Sequence, residues 1–118
     1  MGQTKLGGLL IRMKFALEGN QFAQLGVFSE IMAGRKTSEA VNKIEARKIL
    51  QSEGVKIQET LKEIDRLIGV PDSLKQVLNA KSPIQAVRLV IENPKTSQKL
   101  NQTLSAVIAG ITLADEEQ

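Results

Sequence analysis

With 118 residues, 42% hydrophobic and 25% charged, the chain has the make-up of one globular domain with a modest core. It contains no cysteine and no histidine, which excludes disulfides, thiolate metal sites, imidazole bases and the usual serine or cysteine triads. Tyr and Trp are absent as well, so the composition speaks against an enzyme; no cofactor or metal is expected, and a cysteine-free chain suits a cytoplasmic or other intracellular setting.

The net charge of +3 is concentrated in the first third. Residues 1–36 carry Lys5, Arg12, Lys14, Arg35 and Lys36 against Glu18 and Glu30. They also hold six of the nine glycines and all three phenylalanines, Phe15, Phe22 and Phe28. Two local folds fit this segment. Ile11, Met13, Phe15 and Leu17 alternate with Arg12, Lys14, Ala16 and Glu18 as in a half-buried strand, and Gly19-Asn20 could close a β-hairpin. The second arm fits poorly, since it sets Gln24 opposite Phe15 and Gly26 opposite Met13.

The helical reading is preferred. It puts Leu9, Leu10, Met13, Ala16 and Leu17 on one face, breaks near Gly19-Asn20, and resumes with Phe22, Leu25, Phe28, Ile31 and Met32. Gly34 then closes the second helix in a left-handed conformation. Arg12 and Lys14 cut the apolar run Leu9–Ile11 far short of the ~20 residues of a membrane span, so no transmembrane segment is expected. They also leave no uninterrupted core for a secretory signal, and Leu6 stands where a myristoylation motif wants Ser or Thr. An amphipathic N-terminus lying on a membrane surface is a minor reading.

Gly34-Arg35-Lys36-Thr37-Ser38 resembles the end of a phosphate-binding loop only superficially, because Arg35 intervenes and Ser29 stands in place of the first glycine. The plainer reading has Thr37 or Ser38 capping a new helix. Arg35 and Lys36 would then lie where an anion could meet that helix N-terminus.

The helix so opened is expected to run over 37–69 and to organise the fold. At about 100° per residue, Ala46, Ile49, Leu50, Ile57, Leu61, Ile64, Leu67 and Ile68 share one face. Ile57, Leu61, Ile64 and Ile68 follow the 4-3-4 spacing of a coiled-coil seam, which lasts only about two and a half heptads. Gly54 is the weak point, costing about 1 kcal/mol against Ala. Because the stripe keeps its register across Gly54, one continuous helix is preferred to the alternative, a helix–turn–helix break there. Glu39–Lys43, Glu45–Lys48, Glu59–Lys62 and Glu63–Arg66 have the spacing of intrahelical ion pairs.

After Gly69, Val70-Pro71 ends the long helix. Ser73 with Gln76 reads as a capping box for a short helix to about Ala80. Ser82-Pro83 with Gln85 opens another over 83–92, apolar almost all round apart from Gln85, Arg88 and Glu92. Such a helix belongs at the centre of a bundle or in an interface. Asn93-Pro94 precedes a final amphipathic helix, about Lys95 to Leu113, and residues 115–118 form an acidic frayed tail.

The chain therefore divides into a docking or assembly segment (1–36), an all-α bundle (37–114) and a tail. In all, five or six helices are expected. The leading functional reading is a non-enzymatic interaction or assembly protein, associating with itself or serving as a subunit or adaptor. Ile57, Leu61, Ile64, Ile68, Phe15, Phe22 and Phe28 are its candidate contacts. The alternative is a nucleic-acid-associated protein contacting phosphates through Arg12, Lys14, Arg35 and Lys36, for which a pI near 9.3 is the main support.

Overall fold

The computed structural model describes Gly8 and residues 21–117. Residues 21–117 form five helices: α1 (Gln21–Met32), α2 (Lys43–Leu67), α3 (Asp72–Leu78), α4 (Pro83–Ile91) and α5 (Pro94–Glu117). No strand occurs among the described residues. The first expected helix and the break near Gly19-Asn20 lie outside them.

Gly34 does what its position asks. It adopts φ 81°, and the Gly34 and Arg35 amides donate to the Ile31 and Glu30 carbonyls, satisfying the end of α1. The next helix begins later than expected. Ser38 turns its hydroxyl onto the amides of Ala40 and Val41, stabilising a local turn instead of a helix. Asn42 is the true cap, accepting from the Glu45 amide at 2.8 Å. Glu39 therefore sits in the loop, and its spacing from Lys43 is not an intrahelical one.

From there α2 runs unbroken through Gly54 to Leu67. Its end is a left-handed glycine as well as a proline stop: Gly69 has φ 82°, and its amide meets the Ile64 and Asp65 carbonyls, each at 3.1 Å. The Val70 amide then donates to the Asp65 carboxylate. Helix α3 starts at Asp72, one residue before Ser73, with Pro71 at the cap position and no side-chain capping bond. Ser73 is thus a first-turn residue, and the capping box expected there does not form. The Ser82 cap does form, on the Gln85 amide at 3.2 Å. Gln85 replies to the Lys81 amide. Asn93 caps α5 by accepting from Lys95, with Pro94 in the first turn where its missing N–H costs nothing. The last helix extends beyond Leu113 through the acidic residues to Glu117.

Packing follows from which helices can be buried on every side. Ala86, Val87 and Val90 of α4 are fully buried, and α4 packs on all four other helices. Its most extensive partner is α2. The two cross at Gly54, where a Cβ would overlap the Pro83 carbonyl and lie 2.8 Å from its Cα. Only glycine lets the backbones meet so closely. Leu50, Ile57, Leu61 and Ile64 of α2, Leu74 and Val77 of α3, and Leu100 and Leu104 of α5 complete one core. Burial stabilises each of these large side chains by about 1.5–3 kcal/mol against exposure. Long α2 thus spans the fold, while short α4 is its hub.

Candidate interaction surface

The seam expected for association is divided by the fold. Ile57, Leu61 and Ile64 are buried in this chain's own core, against α3 and α4. They hold the domain together, so a partner could reach them only by opening it. Ile68, one turn beyond Ile64 on the same face, is 71% exposed, and neighbouring Leu67 is 52% exposed. The seam leaves the protein surface only at this end.

The reason is length. Helix α2 has 25 residues, and α4 and α3 have nine and seven. At 1.5 Å per residue they offer roughly 24 Å of cover for a helix of roughly 37 Å. Helix α1 adds to that cover near the N-terminal end, where Gly34 lies close to Lys43. Cover lasts as far as Ile64, and Leu67 and the C-cap Ile68 are left outside. Ile44, in the first turn, is 68% exposed for a different reason, since it points away from the buried stripe.

Phe28 packs half-buried against the core. Phe22 lies in α1, and Phe15 lies outside the described residues. Arg12 and Lys14 are outside them too. Arg35 is engaged within the chain: its guanidinium donates through Nε and Nη2 to the two Glu30 carboxylate oxygens, the second at 3.0 Å. That hydrogen bond holds the Glu30 carboxyl below its ordinary range and raises the guanidinium. The fork that would grip a phosphate is occupied by a carboxylate. Lys36 is exposed beside it.

A second feature had no clear sequence signal. An open groove of about 590 Å³ lies beside α2, with Val55, Gln58 and Lys62 on one wall and Leu78, Asn79 and Ala80 on the other. The Gln58 amide donates to the carbonyls of Val77, Leu78 and Ala80, at 3.2–3.4 Å, and so ties α2 to the end of α3. The Val77 carbonyl also accepts from the Ala80 amide, so Gln58 adds a side-chain donor to the close of α3, a role that no local sequence signal revealed. Among the described residues, no group of three or more carboxylates is placed to hold a metal. No helix among them is long and apolar enough to cross a membrane.

No protein-family model matches the chain, and neither the curated proteins nor the solved structures yield a match to it.

Proposed function

We propose that this chain is a non-enzymatic association module, joining copies of itself or taking a place in a larger assembly. The observation that supports this is the contiguous pair Leu67 and Ile68, two large apolar side chains in solvent at the end of an otherwise enclosed seam. Single exposed apolar residues are ordinary, whereas an adjacent pair, beside Gly69 where the chain turns Val70 into the core, makes a small docking patch. Nucleic-acid binding draws less support, because Arg35 already has a carboxylate partner and the remaining excess charge is small.

The test is the mass in solution by light scattering on a sizing column, over a range of protein concentrations, with and without a DNA duplex. Association without DNA, seen as a mass above 12.9 kDa, is the expected result. A monomer that changes only when DNA is added in dilute salt, and releases it at about 0.5 M where charges are screened beyond ~4 Å, overturns the reading.

A further inference from the structure

Positive charge gathers around one set of loops. Gly34 lies beside Lys43, which brings the exit of α1 to the entry of α2. Arg35 feels the Glu92 carboxylate, which adds the exit of α4, and the Ser97 hydroxyl donating to the Val90 carbonyl at 2.6 Å adds the entry of α5. The segments that meet there, 30–48 and 88–99, hold eight Lys and Arg against four Glu. Residues 49–87 balance five bases against five acids. Arg35 with Glu30, and Arg88 with Glu92, are ion pairs within the chain. Among the described residues, Lys36, Lys43, Arg47 and Lys48 have no such partner.

Helix α2 sets part of this charge beside apolar surface. Ile44, in its first turn, is 68% exposed. Arg47 and Lys48 stand three and four positions on, one turn away on the same side, and both are exposed. Val55, 38% exposed, returns to that side three turns after Ile44, roughly 16 Å along the axis. The exposed side chains on the face between them are Arg47, Lys48, Gln51 and Ser52. Of the nearby acids, Glu45 lies on the flank, and half-buried Glu53 accepts from Lys56.

We propose that this face of α2 docks an acidic segment of another protein, its carboxylates on Lys43, Arg47 and Lys48 and an apolar side chain on Ile44. This rests on the association reading and states the chemistry of the partner. Three features favour a peptide over a nucleic acid. A phosphate chain would meet the bases and offer nothing to Ile44 or Val55, whereas a peptide carries apolar side chains among its carboxylates. No aromatic stands on the face to stack on a base. Three bases also fall short of the about six phosphate contacts of strong nucleic-acid binding. The adjoining loop already takes a carboxylate, since Arg35 grips Glu30 in a two-point fork.

The probe is a fluorescent peptide of about 12 residues, glutamates with two leucines on one side, long enough as a helix to span Ile44 to Val55. Its binding to the full chain is read by anisotropy. It should bind at least about tenfold more weakly in 0.5 M than in 0.05 M salt. Serine in place of its leucines, or Ile44→Ser in the chain, should each weaken binding by at least about fivefold. Lys48→Glu should cost at least about fivefold as well, while Lys75→Glu, the same change on α3, should stay within about twofold. All three positions are exposed, and circular dichroism checks that the variants fold. Equal losses from Lys48→Glu and Lys75→Glu, or no loss from Ile44→Ser, overturn the face. A DNA duplex that binds more tightly than the peptide overturns the choice of partner. No peptide binding, by a chain that still associates on the sizing column, overturns the docking face and leaves the association reading standing. A chain that neither associates nor binds the peptide overturns both.

Discussion

Between Leu50 and Ile64 the apolar face of α2 is enclosed, yet one turn further on the same face carries Ile68 into solvent. The side chains do not differ in kind. What differs is that the helix stops, Ile68 being its C-cap with φ −136°, and that the neighbours are short. Helices α3 and α4 are short, and the chain turns at Gly69 before anything returns over the last turn of α2. A stripe in a sequence says which face avoids water, but the lengths of the other elements decide how much of it finds cover within one chain.

The largest expected effect breaks that comparison at its sharpest point. Ile64→Asp buries a carboxylate with no partner among Leu61, Leu74 and their neighbours, and about 4 kcal/mol or more of destabilisation should leave the chain unfolded. Ile68→Asp makes the same chemical change four residues later and should shift an unfolding curve by no more than about 1 kcal/mol. Equal effects in urea titrations of the two variants would show that the enclosed and exposed stretches are not distinct. Next in size is Gly54→Ala. In a solvated helix this exchange stabilises by about 1 kcal/mol. Here the added methyl meets the Pro83 backbone, which cannot swing aside as a side chain would, so a net loss of about 3 kcal/mol is expected. A gain in stability would mean that α2 and α4 do not cross so closely.

Much of this architecture was legible because it is written in local chemistry. Gly34 ends α1, Ser82-Pro83 opens α4, and the nearly all-round apolar character of 83–92 marks a helix for the centre of a bundle or an interface, of which the fold takes the first; each needs only a few adjacent residues. What could not be read needs a partner distant in sequence. Gly54 reads as a weakness until Pro83 is placed on it, and nothing near Gln58 in sequence marks it as the donor to the end of α3. Two competent caps, Ser38 and Asn42, stood four residues apart, and a local rule could not choose between them. Ile57, Leu61 and Ile64 read equally well as core or interface, because period and polarity are the same for both. The lengths of α3 and α4 separate those readings, and element boundaries are the least local part of the pattern.

The smallest effect sharpens the comparison from the other end of α2, in the loop that leads into it. Arg35→Gln removes the guanidinium that Glu30 grips, at a solvent-accessible site where the pair is screened and a contribution close to nothing is common. The direction with pH is nonetheless fixed. The Glu30 carboxyl is held below its ordinary value in the folded chain, so its contribution is complete above the unfolded carboxylate range and is lost as pH falls through the folded value. The raised Arg35 guanidinium titrates far above any useful pH and adds no slope. Parent and Arg35→Gln should therefore differ slightly at neutral pH in dilute salt. They should converge in acid, once Glu30 is protonated, and also at about 0.5 M salt, where charges are screened beyond ~4 Å. Thermal melts of the two chains at neutral and acid pH check this. A difference that grows in acid would assign Arg35 a packing role on α1, and the loop would then belong with the enclosed part of the molecule instead of its open end.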